Sequence, residues 1–275
     1  MKDKIALVTG ASSGIGFATA KRLAELGARV ALVARGAERL EAAAEQIGGD
    51  RTAVISLDVR DLAAVETLPQ RVVDRFGALD IVINNAGLNH RGPMLENSAA
   101  ALADVITTNL TAPIALCRAA APLIRSGGCI VNVASLAGMV PVHHEAAYSA
   151  SKAGLRAFSR VIRDELRERG ITVSIVSPGP VDTSFLGDIE HVPSLVFSQP
   201  MSTADDIANA IIRSIRTGDE EIAIPWFSGK LCTLGYVSSG LLRALRPAME
   251  RRGERNKREY LARKADRGPQ TADRS

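Results

Sequence analysis

Tyr148 and Lys152 stand four residues apart, and Ser135 lies thirteen residues upstream of the tyrosine. In a helix that separation puts both side chains on one face, within reach of a single bound molecule. A phenol with an ordinary pKa near ~10 is a poor acid or base at neutral pH. A cation beside it favours the phenolate and brings proton transfer into a useful range. A serine hydroxyl nearby can hold a carbonyl or alcohol oxygen against the phenol. Alone, a Tyr-x-x-x-Lys spacing usually marks a solvated helix face, so its meaning depends on what else the chain carries.

The decisive context lies upstream. Thr9-Gly10-Ala11-Ser12-Ser13-Gly14-Ile15-Gly16 follows an apolar β-like run and opens a helical stretch, the setting in which a glycine pattern becomes a nucleotide signal. Gly10 permits the tight turn, Gly14 lets the backbone approach a pyrophosphate, and Gly16 allows close helix packing. The helix N-terminus then offers free N–H groups and a positive dipole end, so Ser12, Ser13 and Ile15 join the glycines as expected contacts. No Gly-Lys-Ser/Thr follows, which excludes a nucleoside-triphosphate P-loop. Where an acid would bind the ribose 2′-hydroxyl of NAD, the chain reads Leu32-Val33-Ala34-Arg35. A guanidinium there suits a 2′-phosphate, with Arg39 one turn on, and NADP(H) is the expected cofactor. Asp58, followed by Val59, reads either as an acceptor for the adenine amino group or as the N-cap of the next helix.

The elements that must position these groups alternate strictly. Strands are expected at Lys4–Thr9, Arg29–Val33, Thr52–Leu57, Leu79–Asn84, Cys129–Ala134, Thr172–Val176 and Glu221–Ile224. Most are near-continuous apolar runs, as strands covered on both faces require. Amphipathic helices are expected at Phe17–Leu26, Glu38–Ile47, Leu62–Phe76, Ala99–Arg125 and Ala147–Arg169, with Gly27, Gly48, Gly77 and Gly170 as C-terminal caps. Alternation of this kind predicts an α/β fold, a single-domain Rossmann-type doubly wound parallel sheet of about seven strands over residues 1–225. Residues 226–275 read as a C-terminal helical extension. Pro178–Met201 is a long connection with apolar Phe185, Leu186, Ile189, Leu195, Val196 and Phe197, which predicts a lid over an apolar substrate.

Charge is divided unevenly. From Trp226 onward there are twelve Lys/Arg against five Asp/Glu, a net of +7 in a chain of +4, leaving the preceding residues at −3. Nucleic-acid binding needs a basic stripe on a known reader fold, and no such fold is visible. Cys117, Cys129 and Cys232 show neither a disulfide framework nor metal spacing, and a reducing, cytoplasmic setting fits them. No metal site is expected. Met1–Lys4 runs straight into the first strand, and no signal peptide or transmembrane run of ~18 apolar residues is expected.

Taken together, these motifs resemble the short-chain dehydrogenase/reductase family, in its compact NADP-preferring branch, over roughly residues 4–225. Thr9–Gly16 matches the family's T-G-x-x-x-G-x-G loop, and Asn84-Asn85-Ala86-Gly87 its N-N-A-G segment. The resemblance implies cofactor contacts at Asn85, Ala86 and Gly87, and at Pro178, Gly179, Val181 and Thr183 beside the nicotinamide. It implies a catalytic set of Asn109, Ser135, Tyr148 and Lys152. Tyr148 would be general acid or base, Lys152 would lower its pKa and bind ribose hydroxyls, and Asn109 would hold a water through its backbone. The expected activity is hydride transfer between NADP(H) and a ketone or secondary alcohol. The extended branch fits less well, since its loop is usually T-G-x-x-G-x-x-G.

Other residues stay open. His90, His143 and His144 either border the substrate or are exposed loop histidines, and His191 is uninformative. Leu88, Leu136, Val140 and Val142 add to the apolar lid and point to a lipophilic substrate. In Lys230–Arg252, Leu231, Leu234, Val237, Leu241, Leu242 and Leu245 form one helical stripe backed by Arg243, Arg246, Arg251 and Arg252. That helix reads as packed on its own active site or a second subunit, or as a peripheral membrane contact. The end from about Ala265 reads as disordered. Family resemblance implies a homodimer or homotetramer through Ala99–Arg125 and Ala147–Arg169. A membrane-surface lipid reductase and a non-catalytic NADP-binding sensor are the alternatives.

Overall fold

The computed structural model describes residues 1–187, 189, 192–237 and 239–266, with the side chains of 231, 233–246 and 265–266 outside the description. The apolar runs form β1 (Ile5–Thr9), β2 (Arg29–Ala34), β3 (Thr52–Ser56), β4 (Leu79–Asn84), β5 (Ile124–Val133), β6 (Thr172–Pro178) and β7 (Glu221–Ile224). All are parallel in one sheet of order β3-β2-β1-β4-β5-β6-β7. Helices are α1 (Gly14–Glu25), α2 (Ala37–Ile47), α3 (Leu62–Phe76), α4 (Ala99–Ile106), α5 (Ala112–Ala120), α6 (Ala146–Arg167), α7 (Ala204–Thr217), α8 (Trp226–Val237) and α9 (Ser239–Asp266).

Alternate side chains of each strand feed two separate cores. Ala6 and Val8 of β1 meet Leu23, Leu40, Ile207 and Ile211 from α1, α2 and α7. Ile5 and Leu7 meet Val65, Leu68, Leu116 and Ile162 from α3, α5 and α6. This is why the strands are apolar without alternation. The strand order reverses between β1 and β4, and there the carboxyl ends of the strands open a crevice.

The largest departures from the expectation are two boundaries and one helix. Helix α5 stops at Ala120 rather than Arg125, and β5 begins at Ile124 rather than Cys129. Ile124 pairs with Leu79, the register shifts, and pairing resumes at Cys129 with Ile81, so the strand survives across a glycine-rich irregularity. Helix α7 is absent from the expectation, although its Thr203–Asp206 capping box is a local signal that could have found it. The run Ala99–Ala120 is long and apolar enough to cross a membrane by length and composition. Its Val105, Leu116, Cys117 and Ala120 are instead buried in the protein.

The described part of the extension packs on its own chain. Asn256 Nδ2 donates to the Phe197 carbonyl at 2.9 Å and Lys257 Nζ to the Val192 carbonyl at 2.8 Å. The Tyr260 hydroxyl donates to Asp182 Oδ1 at 2.6 Å. Gly253 lies so close to the Ser194 carbonyl that a Cβ would overlap it. Ile189, Val192 and Phe197 form a small core with Tyr260 under α9. Ile189 and Phe197, expected to face substrate, therefore anchor the lid from behind. His191, the Leu231–Leu245 stripe and most of the tail from Ala265 fall outside the described residues or side chains.

Candidate active site

The crevice is a cavity of about 440 Å³, within the range of small-molecule sites. Its nucleotide end is built by the turn from β1 to α1. Gly10 and Gly14 have φ of 67° and 54°, a region that side chains disfavour. Ser13 is the N-cap without a side-chain cap bond, and no acid occupies the first turn, so the first N–H groups of α1 and its dipole remain for an anion. Gly10, Ser12, Ser13, Gly14 and Ile15 line the cavity, whereas Gly16 does not. A Cβ on Gly16 would strike the Gly10 carbonyl and Asn85, so its smallness keeps the turn itself compact.

Arg35 and Arg39 stand exposed at the same end of the cavity, as a phosphate monoester requires. Asp58 and Val59 line it too. Asp58 is not the N-cap of α3; Asp61 is, accepting from the Ala64 N–H at 3.1 Å. Arg60, which the sequence reading passed over, grips the Asp58 carboxylate at 2.7 Å and holds it below the usual carboxylate range. The donor-rich helix end and the paired arginines fit a dinucleotide carrying an extra phosphate.

Buried polar cross-ties hold the floor. Asn85 Nδ2 donates to the Thr9 carbonyl at 3.0 Å, and the Asn85 and Ala86 N–H groups both donate to Thr9 Oγ1. Asn109 sits in a π-helical turn, Thr107–Thr111, joining α4 to α5, a form that recurs at functional sites. Its side chain is spent on Leu88, accepting its N–H and donating to its carbonyl, both at 2.8 Å, and on Ser151 Oγ at 3.1 Å. Asn109 does not line the cavity, while Asn85, Ala86 and Gly87 do.

Ser135, Tyr148 and Lys152 converge on the cavity from the end of β5 and one face of α6. Burial pushes the Tyr148 phenol up to about 12, against a downward pull from the Ser135 hydrogen bond; Glu145 raises it further and Arg91 lowers it. Burial pushes the Lys152 ammonium down to about 8. Its Nζ donates to the Val133 carbonyl at 2.8 Å and lies 5.8 Å from the Tyr148 ring centroid. The Lys152 ammonium is aimed at the β5 carbonyl, and desolvation is the largest influence on both groups. Pro178, Gly179, Val181 and Thr183 line the cavity beside them.

A short chain dehydrogenase family model matches residues 4–193. The chain belongs to the short-chain dehydrogenase family. This short-chain dehydrogenase is 39% identical over 214 residues to a granaticin polyketide synthase putative ketoacyl reductase 1 from Streptomyces violaceoruber, covering 75% of this chain and 79% of the relative. It is 33% identical to a human 3-oxoacyl-[acyl-carrier-protein] reductase, covering 76% and 90%. A short chain dehydrogenase from Burkholderia cenocepacia, solved in complex with NADP, superposes with a TM-score of 0.75 at 35% identity, covering 81% of this chain and 96% of that one. Membership makes the protein an oxidoreductase.

The substrate side of this dehydrogenase is apolar, with Leu88, Leu136, Val140, Val142, Phe185, Leu186, Leu195 and Val196 on its walls and Cys232 and Met249 contributed by the extension. Phe185 covers Tyr148, ring centroids 6.0 Å apart. His90, His143 and His144 are exposed and do not line the cavity. Arg91 Nε pairs with Glu145 at 2.7 Å, both largely buried, and Arg91 Nη1 donates to the Leu186 carbonyl at 2.7 Å. The pair ties the loop after β4, the start of α6 and the Ser184–Leu186 turn together. Fifty-four residues separate its members, so no local spacing reveals it.

Proposed function

We propose that the protein is an NADP(H)-dependent reductase of lipophilic ketones, running in reverse as a secondary-alcohol dehydrogenase, with Tyr148 as the general acid or base. The observation that carries this reading is one cavity joining Arg35 and Arg39 at one end to Ser135, Tyr148 and Lys152 at the other. When bound, NADPH supplies the hydride and its 2′-phosphate meets the two arginines. Ser135 donates a hydrogen bond to the substrate oxygen and holds it against the phenol. Tyr148 is protonated at neutral pH and gives its proton to the oxygen as the carbonyl carbon is reduced, and the Lys152 ammonium, 5.8 Å from the ring centroid, stabilises the phenolate that develops. Lys152 would bind the ribose hydroxyls of the cofactor and, with a water held by the Asn109 backbone, would connect the phenol to solvent. Gly14, Val181 and Thr183 hold the cofactor around its pyrophosphate and nicotinamide.

The apolar walls favour a bulky or long-chain ketone. Among such substrates a 3-oxoacyl thioester comes first, because the Streptomyces relative is described as a ketoacyl reductase and the human one as a 3-oxoacyl reductase. A homodimer or homotetramer through the outer faces of α4–α5 and α6, where Val161 is exposed, accords with the family. Following NADPH absorbance against acyl thioesters, steroids, retinoids and sugar ketones tests the reading. Turnover of a lipophilic ketone with NADPH preferred over NADH is expected. No consumption with any ketone would leave the sensor alternative standing.

A further inference from the structure

Gln199 offers a polar oxygen to the cavity that the protein itself leaves unanswered. The residue lines the cavity, yet its Oε1 is buried without a hydrogen-bond partner among the described residues. The atom lies against Gly179, where a Cβ would come within 3.1 Å of it. The Pro178–Gly179–Pro180 backbone beside it cannot supply a donor. Pro178 and Pro180 have no N–H, and the Gly179 N–H is committed to the Ile224 carbonyl at 2.6 Å. A buried acceptor left unpaired is unfavourable and rare enough to require an explanation.

Its position supplies one. Ser135 Oγ donates to the Pro178 carbonyl at 3.4 Å, and Gln199 Oε1 lies against the next residue, Gly179. Its height above the floor is set by α9, through Asn256 on Phe197, Lys257 on Val192 and the close approach of Gly253 to Ser194. The amide is thus placed on the cavity wall beside Gly179 by an element beyond the family core.

We propose that Gln199 Oε1 accepts a hydrogen bond from an N–H or O–H donor of the bound reactants, and so is a specificity-determining residue of the pocket. The donor is either a hydroxyl or amide of the substrate or the carboxamide of the cofactor; the rest of the inference stands on the reductase reading above. Such an acceptor discriminates by penalty, since a reactant lacking the donor leaves the buried oxygen unpaired.

The test uses the full chain with Gln199→Met, close in size but lacking the acceptor, and Gln199→Glu, which keeps one. Keto alcohols bearing the hydroxyl one, two or three carbons from the carbonyl are each compared with the ketone carrying a methyl in its place. NADPH affinity is titrated separately by fluorescence. A substrate donor is assigned if the native protein prefers one keto alcohol about tenfold in kcat/KM and Gln199→Met removes that preference while Gln199→Glu retains it. A cofactor donor is assigned if the NADPH dissociation constant rises about tenfold in Gln199→Met instead. Unchanged ratios together with unchanged NADPH affinity overturn the proposal. Because the NADPH titration needs no turnover, a failure of the reductase reading is told apart from a failure of Gln199. Should Gln199→Met fold poorly, Gln199→Leu takes its place, with thermal melting of the free protein as the check.

Discussion

The floor and the roof of this cavity are held in different ways. The floor is strand ends and helix starts, cross-tied by buried side chains: Asn85 on Thr9, Asn109 on Leu88 and Ser151, Asn84 on Asn132, and Asn132 in turn on Ser159. Most of these groups are shut from water, where an unmade hydrogen bond is expensive. The roof is the Pro178–Met201 connection, short 3-10 turns around a small apolar core, fastened by α9 and by Arg91. A rigid floor can fix reacting groups to a fraction of an ångström, while a roof with its own fastening can vary with substrate. Changes to the floor should therefore strike turnover or stability, and changes to the roof should strike substrate affinity.

The sharpest blow to the floor is Tyr148→Phe. Loss of the proton donor should lower kcat about a thousandfold, with NADPH affinity, read by fluorescence titration, unchanged within about twofold. Near-native turnover would remove Tyr148 from the mechanism.

Lys152 tests the electrostatics of the same floor. Its folded pKa of about 8 lies below the usual 10.5, so the buried charge penalises the fold. That penalty is fully present below pH 8 and is relieved as the pH rises toward 10.5. Lys152→Met lacks the titration. Urea unfolding of both proteins in the cofactor-free form should show native stability gaining on the variant by about 3 kcal/mol across that window. A difference flat with pH would mean that the ammonium is solvated. Raising Tyr148 has the opposite sign, costing stability only above pH 10, so the two windows barely overlap.

Arg35→Asp probes the far end. Exchanging a guanidinium for a carboxylate should shift kcat/KM toward NADH by about tenfold to a hundredfold, and equal preference for NADPH in the variant would dismiss the phosphate reading.

How much of this was legible beforehand follows the same division. The sheet, its two-sided cores and the glycine turn are written in local spacing, because strand periodicity and the needs of a helix N-terminus are local rules. Tyr148, Lys152 and Ser135 reach one cavity for the same reason: a helical interval and a strand end. What Lys152 touches was not legible, since the Val133 carbonyl nineteen residues away is placed by the packing of β5 on α6. Arg91 with Glu145 and Arg60 with Asp104 depend on pairings that only the fold creates, and so does the burial of the Gln199 oxygen. The apolar content of the lid was readable, but not which members face inward. Ile189 and Phe197 turn toward α9, and Leu195 and Val196 toward the cavity.

The smallest effect expected, and the one that bears most on the roof, comes from Gly253. Helix α9 meets the lid there with no room for a side chain, so Gly253→Ala must push the helix and the Ser194–Ser198 turn apart by about the width of a methyl group. Asn256, Lys257 and Tyr260 lie within the next two turns of α9, and their bonds to Phe197, Val192 and Asp182 should lengthen together. Leu195 and Val196 would then withdraw from the cavity wall, while Ser135, Tyr148 and Lys152 belong to elements that the displacement does not reach. The expected result is a KM for lipophilic ketones raised several-fold, with kcat within about twofold of native, the signature of lost uniform binding. A drop in kcat at unchanged KM would mean that floor and roof are coupled more tightly than their separate fastenings imply. Adding Tyr260→Phe distinguishes a clamp from a simple bulge: if both changes act through one contact between α9 and the lid, the double variant should be less impaired than the sum of the single ones.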